Sequence, residues 1–585
     1  MRRRLDRLAE LSEPDRESPH GDYVLVLAEG VEVCDRTRRA ATAHAWQRGL
    51  AVLDLVPRDL PVEAAMDLAR VVDPRAYRAD RIGLGRGAGH ALLIDKAVAG
   101  RLGVTRRSGL GPGEMAEITV RAKQYAVGSA ADLVVAEFTA LHNREGRRTW
   151  LTALSVMVPQ NFTVPRMIAA SVIGYVLVLS GLLLDPLLGL LPIVAYSSVP
   201  YLVTAGLPLR PRDRRTAACL RLLLVPLSWW RTLRSPSTTW EQARAEQHEK
   251  SRAWHQQFLD PGFFEPRRGT CPWCGSAALG THLVTRDTMM VKPGRFVLER
   301  CLDCRHIFQN PRLNAKGLQF YYRDVYDGLS AGNAEQIFSG QSHWYRERAN
   351  LVAAHASPRT WLDVGAGHGH FCATAADVLP DTAFDGLDIG AGIEEAHRRN
   401  WVRHGLRGEF RALTSELAGR YDVVSMNHYL EHTTDPLAEL DAAATTLRPG
   451  GHLLIELPDP DAWAGRFLRS FWIALLPPQH LHMIPLANLT AALTERGFAI
   501  ISAERDGVRV EGDFTAAALV LANVLGPDPH RPWAPTRRTG TLRQILAYTA
   551  VVPLILTAIL TDAAIRILRP KNSNSYRVLA QSPPP

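Results

Sequence analysis

The run Thr360-Trp361-Leu362-Asp363-Val364-Gly365-Ala366-Gly367-His368-Gly369-His370-Phe371 is an apolar strand that enters a turn of alternating glycines. The apolar run Phe371–Leu379 behind it predicts a helix. Glycines at 365, 367 and 369 let a ligand come close to the backbone at this strand-to-helix turn. A second strand, Ala383–Asp388, ends in an acid 19 residues after Gly369, where a carboxylate can take a ribose diol. A further strand, Tyr421–Met426, runs into Asn427-His428-Tyr429-Leu430-Glu431-His432. A helical stretch, Pro436–Leu447, and the turn Arg448-Pro449-Gly450-Gly451 then lead to the strand His452–Leu457. Strands alternating with helices predict a doubly wound, Rossmann-like α/β sheet.

That order resembles the class I S-adenosylmethionine-dependent methyltransferases over about Ser357–Arg505. The resemblance implies S-adenosyl-L-methionine as cofactor, held by Asp363, Gly365, Gly367, Gly369 and Asn427, with Asp388 on the ribose. Methyl transfer is mostly positioning, because the sulfonium methyl is already activated. A hydroxyl or enolisable carbon also needs a general base. The candidates are His428, Tyr429, Glu431 and His432, with His480 and His482 in the loop Pro477–His482. Each of these histidines also reads as a hydrogen-bonded structural residue. No Asn-Pro-Pro-aromatic motif follows Met426, which favours oxygen or carbon over nitrogen as the acceptor atom. The resemblance also predicts a closing strand, for which Tyr576–Ala580 is the one later candidate.

Cys271-Pro-Trp-Cys274 and Cys301-Leu-Asp-Cys304 are two C-x2-C pairs with 26 residues between them. Four thiolates at this spacing satisfy a tetrahedral, structural zinc, so a zinc ribbon is expected; a redox C-x-x-C is the alternative. Cys34, Cys219 and Cys372 are isolated. A zinc ribbon followed by such a methyltransferase resembles the sugar C-methyltransferases, until the chain turns apolar after Arg505.

The clearest apolar region, Met167–Leu207, splits at Asp185-Pro186 into Met167–Leu184 and Leu187–Leu207. Each half is near the ~20 residues that cross a bilayer. Arg147, Arg148 and Arg166 precede the region and Arg210, Arg212, Arg214 and Arg215 follow it. The expectation is a transmembrane helical hairpin with both flanks cytoplasmic, or else two buried core helices. Leu220–Trp230 reads as an interfacial helix. Ile545–Leu560 is apolar, with Pro553 inside and basic residues on both sides. It is expected to lie in the inner leaflet, so that Tyr576–Ala580 can rejoin the sheet; one crossing with an unpaired tail is the alternative.

The N-terminal region has a buried-type strand in Gly21–Val33, a Gly-rich stretch at Gly83–Ala91, Gly111–Glu117 before a helix, and Arg147-Arg148-Thr149-Trp150. This series resembles membrane-bound inverting glycosyltransferases. Ala28-Glu29-Gly30 and Glu114-Met115 stand where those enzymes carry paired carboxylates, which implies a degenerate domain. An unrelated α/β domain is the alternative.

The chain has 585 residues, enough for several domains, and its 46% hydrophobic content excludes wholesale disorder. Seven cysteines exclude a disulfide scaffold. Of 68 basic residues, only Lys96, Lys123, Lys250, Lys292, Lys316 and Lys571 are lysine, so the net charge of +9 is weak evidence for nucleic acid.

The expected order is therefore a degenerate glycosyltransferase-like α/β domain (1–160), a membrane hairpin and interfacial helix (161–235), a linker (236–265), a zinc ribbon and connection (266–345), a methyltransferase domain (346–510) and a membrane-associated insertion with the closing strand (511–585). The expected protein is a multi-pass inner-membrane enzyme with its catalytic domain in the cytoplasm. Its partners are the lipid bilayer and a lipid-linked, sugar or similar membrane acceptor, with no nucleic acid. An RNA methyltransferase or a non-catalytic membrane scaffold are the alternatives. Oligomeric state is not readable.

Overall fold

The structure, a computed structural model, describes residues 9–10, 23–58, 87–104, 107–126, 130–140, 171–203 and 211–234 with short gaps, 249, 262–326, 338, 341–505, 512–568 with gaps, and 573–584. The chain divides into two compact units, Met1–Glu246 and Gln247–Pro585. The division falls inside the expected linker.

In the first unit, β1 (Ala9–Glu10), β2 (Tyr23–Leu27), β3 (Leu50–Pro57), β4 (Ala91–Asp95) and β5 (Ala130–Ala136) form one mixed sheet of order β1-β5-β3-β4-β2. Every residue of β3 is buried, because apolar clusters cover both faces of the sheet. Asp54 is in this strand; its carboxylate accepts from the Ala88 N–H at 3.0 Å, and burial pushes its pKa up to about 8. Helices α1 (Asp35–Gln47), α2 (Lys96–Leu102) and α3 (Pro112–Tyr125) flank the strands. Glu114 accepts from the Gly111 N–H at 2.9 Å, so it closes the start of α3, and Met115 is fully buried. Arg147, Arg148, Trp150 and Met167–Ala170 lie outside the described residues.

Within the expected hairpin, α4 (Leu190–Val203) has 14 residues, about 21 Å of helix. Residues 183–186 and 204–207 of the expected hairpin lie outside the described residues. The interfacial segment forms α5 (Arg221–Arg234), with Leu223, Leu227 and Trp230 exposed.

In the second unit, β6 (Leu279–Thr285), β7 (Phe296–Cys301) and β8 (Ile307–Gln309) form an antiparallel ribbon, followed by α6 (Ala315–Tyr326) and α7 (Ser342–Ala353). The main sheet contains β9 (Thr360–Val364), β10 (Ala383–Asp388), β11 (Gly405–Arg407), β12 (Tyr421–Asn427) and β13 (Leu447–Pro458). It is completed by β15 (Ala499–Glu504) and β16 (Ser575–Gln581), in the order β11-β10-β9-β12-β13-β16-β15. The first five strands are parallel and β16 is antiparallel to both neighbours. Helices α8 (His370–Val378), α9 (Gly392–Arg398), α10 (Pro436–Thr446) and α11 (Leu486–Glu495) connect the strands. Trp361 is fully buried in β9 and donates its indole N–H to the Ser425 hydroxyl of β12 at 2.8 Å.

One strand ties the two parts of this unit together. β14 (His482–Met483), from the loop between β13 and α11, pairs with β8 and becomes the fourth strand of the ribbon. Met483, Trp472 and Leu475 of that loop share a core with Leu298 and Ile307 of the ribbon.

Between β15 and β16 lie α12 (Asp513–Leu525) and α13 (Gly540–Leu568). They pack on each other through Ala518, Ala522, Val551 and Ala558. Asp562 accepts from the Phe514 and Thr515 N–H groups and from the Thr515 hydroxyl, which satisfies the start of α12. The chain therefore leaves the sheet at Glu504 and returns to the adjacent strand at Ser575. Leu546–Leu568 is the one helix among the described residues long and apolar enough to cross a membrane by length and composition, at mean hydropathy 2.0.

Candidate active site

The glycine turn opens at the carboxyl end of β9, next to the carboxyl ends of β10 and β12. Gly365, Gly367 and Gly369 all have positive φ, at +75°, +54° and +73°. The three differ in what surrounds them. A Cβ on Gly365 would meet Tyr429 Cδ2 at 2.8 Å, and one on Gly369 would meet the Ala396 Cβ at 2.7 Å. A Cβ on Gly367 would meet nothing within 4 Å. Gly367 thus faces open space, while its neighbours seal the turn against the protein.

Asp388, at the end of β10, accepts from the Gly367 N–H at 2.8 Å and the Gly390 N–H at 2.7 Å. Each carboxylate oxygen has a further lone pair with which to take a hydroxyl. Asp363 is buried at the end of β9; it accepts from the Ser425 hydroxyl at 2.5 Å and from Asn427 Nδ2 at 3.3 Å. Burial pushes its pKa up to about 7. Asn427 Oδ1 is buried with no hydrogen-bond partner among the described residues. Asp363, the three glycines, Asp388 and Asn427 are therefore brought together around one turn.

The base candidates separate into distinct settings. His428 has φ +52° and lies between two buried carboxylates, with Nδ1 3.1 Å from Glu431 and Nε2 3.3 Å from Glu456. Tyr429 packs on Gly365 and donates to Glu439 at 3.1 Å, and burial pushes its hydroxyl well above the usual range. Glu431, His432 and His480 converge, with one possible ligand atom from each lying within 4.8 Å of the others. The His432 and His480 rings meet edge to face at 4.6 Å.

His482 does not join that cluster, which corrects its grouping with His480. Its ring stacks on His306 at 5.1 Å, with Nδ1 3.2 Å from His306 Nε2, on the ribbon side. The two-residue alternation of a strand begins only at His482, since His480 is still in the turn that bonds back to Leu476.

Four contributors were not anticipated from the sequence. Tyr322 of α6 meets His432 Nδ1 at 2.8 Å, and its hydroxyl donates to the Gln479 carbonyl. Glu456 of β13 is fully buried and takes Arg348 of α7 and Arg577 of β16. Burial alone would raise the Glu456 pKa, but Arg348, His428 and Arg577 outweigh it and hold the carboxylate well below its ordinary value. An acid inside an otherwise apolar strand was a readable signal, because such a group needs a partner.

The four cysteines also converge. Cys271 Sγ lies 3.7 Å from Cys304 Sγ, and Cys274 Sγ lies 3.6 Å from Cys301 Sγ. Sulfurs 2.3 Å from a tetrahedral zinc would be about 3.8 Å apart, so the set fits that ion. His306 Nδ1 is 3.9 Å from Cys271 Sγ.

Residues 338–503 match the family described as a methyltransferase domain. The ubiquinone biosynthesis O-methyltransferase of Marinobacter nauticus is 29% identical over 147 residues, which is 24% of this chain and 56% of that protein. The protein of the same name from Xanthomonas axonopodis pv. citri is 29% identical over 166 residues, 26% of this chain and 69% of that one. The chain spans a little over half the length of the first of these curated relatives. Among solved structures, a SAM dependent methyltransferase from Archaeoglobus fulgidus aligns at 16% identity over 45% of this chain and 99% of that one, with a TM-score of 0.28. The chain carries a class I methyltransferase domain.

Proposed function

We propose that the protein is an S-adenosylmethionine-dependent methyltransferase that works at a membrane surface, on an oxygen or carbon of a lipid-linked, sugar or similar acceptor. The observation that carries the reading is the open face of Gly367 beside Asp388, within the methyltransferase domain. The cofactor, when bound, supplies a sulfonium methyl that is already activated. Asp388 holds the ribose diol, and Asp363 with Asn427 faces the polar methionine end. Tyr429 walls the turn. Glu431, His432 and His480 form the polar group on the acceptor side.

Membrane association rests on surface and connectivity. Leu546, Leu554, Leu556, Ile559, Leu560, Ile567 and Leu568 of α13 are exposed. α13 is about 44 Å long, yet both of its flanks belong to one sheet. A helix returned to its own domain in this way lies along a bilayer surface more readily than it crosses one. In the first unit, Leu187, Leu190, Leu191 and Val194 are also exposed. A zinc in the four-cysteine centre would be structural, since four thiolates leave no open position.

Two measurements test the reading. Calorimetry with S-adenosylhomocysteine should give binding that Asp388→Ala weakens by about 1–3 kcal/mol. Lipid extracts compared by mass, with and without the gene, should show a species heavier by one methylene only when the gene is present. No cofactor binding by the full chain would refute the enzyme reading. Binding with the methylated species confined to the aqueous extract would refute the membrane acceptor.

A further inference from the structure

We infer that Glu431, His432 and His480 form a second metal site, for a divalent first-row transition cation, separate from the four cysteines. Each of the three offers a ligand atom within 4.8 Å of the others. The proton positions decide what those atoms are. The His480 Nδ1 faces the Ala474 carbonyl at 2.8 Å, and a carbonyl only accepts, so Nδ1 carries the proton. The His432 Nδ1 faces the Gln479 carbonyl at 3.1 Å and the Tyr322 oxygen at 2.8 Å. Tyr322 gives its own proton to that same carbonyl, so the His432 Nδ1 must also donate. In both rings Nε2 is therefore the lone-pair atom, directed by a backbone carbonyl behind it. That is how proteins orient metal-binding histidines.

Glu431 supplies the third lone pair. It is 1% exposed, its Oε1 takes His428 at 3.1 Å, and its Oε2 is buried with no hydrogen-bond partner among the described residues. Its Oε1 lies 4.0 Å from the His480 Nε2. The three residues thus bring ligand atoms together beside a buried carboxylate oxygen that has no hydrogen-bond partner among the described residues, an arrangement that suits a cation. Two imidazoles and one carboxylate suit zinc, iron or manganese and leave positions open, unlike the four-thiolate centre. Magnesium, which prefers oxygen ligands, is disfavoured. The open positions would take water or an acceptor oxygen. His428 has a positioning role here, because its Nδ1 holds Glu431 through Oε1.

Cobalt tests the site without knowledge of the acceptor. The full chain is stripped of metal under reducing conditions and titrated with Co2+. The expected result is a set of visible bands without thiolate charge transfer, from one equivalent beyond any cobalt that shows thiolate absorption. His480→Gln should lose that equivalent and keep the thiolate signal and the affinity for S-adenosylhomocysteine. Should the variant fail to fold, the wild-type titration decides alone. Wild-type protein whose only cobalt bands carry thiolate charge transfer, or which binds no cobalt, overturns the inference. Cofactor calorimetry is a separate readout, so failure of the methyltransferase reading would be seen apart from failure of this one.

Discussion

Gly367→Ala separates stability from cofactor binding more cleanly than any other change in the turn. Gly367 has φ +54°, where an L side chain costs roughly 1–2 kcal/mol. Nothing among the described residues lies within 4 Å of the new methyl group, so no steric term is added. The expected loss of folding stability is therefore about 1 kcal/mol. The methyl would project into the space where the cofactor approaches the backbone, and affinity should fall at least tenfold, about 1.4 kcal/mol. Gly369→Ala is the counterpart. It has the same backbone cost at φ +73°, and its Cβ would sit 2.7 Å from Ala396 in α9. Overpacking adds about 1–3 kcal/mol, so its loss is mainly one of stability. Urea denaturation gives the first quantity for both variants. Calorimetry with S-adenosylhomocysteine, at a temperature where both are folded, gives the second. A Gly367→Ala protein that binds within twofold of wild type would refute the placement of the cofactor on this turn.

Three further outcomes are expected. Burial raises Asp363 from 3.8 to about 7, so its contribution to stability is present below pH 4 and is lost as pH rises through about 7. From pH 5 to 8 wild-type protein should lose about 3 kcal/mol relative to Asp363→Asn, and equal slopes in urea melts would contradict this. Glu456→Gln leaves Arg348 and Arg577 buried without their carboxylate and should cost roughly 3 kcal/mol, seen as a lower thermal midpoint. Cys301→Ser should remove one zinc per chain by elemental analysis and expose the ribbon to hydrogen exchange; unchanged zinc content would count against the four-cysteine centre.

The sequence made the central sheet legible because its signals are local. Three glycines at alternate positions, an acid at the end of the next strand and a Pro-Gly-Gly turn each report on neighbours a few residues away. The same locality explains the errors. His480 and His482 are two residues apart in sequence, but β14 starts at His482 and sends the two to different sites. The pairing of Phe308 with His482 has no local signature, so the ribbon's fourth strand could not be foreseen. Tyr322 and Arg348 reach the site from helices whose packing no periodicity specifies. The apolar stretch Ile545–Leu560 underestimates α13, because the charge of Asp562 interrupts the apolar run soon after Leu560. In the fold that carboxylate bonds to the start of α12, so the helix continues past it.

The position of β16 bears on the order in which this unit can fold. Its hydrogen bonds fill the gap between β13 and β15, so until Ser575–Gln581 arrives those two strands present open edges. Closing them requires a loop of 70 residues between Glu504 and Ser575, most of it the two apolar helices. Non-local pairings of this kind slow folding, since the chain must be ordered before the contacts reward it. The half-made sheet and the bare leucines of α13 would be exposed together during that interval. Formation of the α12–α13 pair, capped by Asp562, shortens the effective loop and gives the strand a path home.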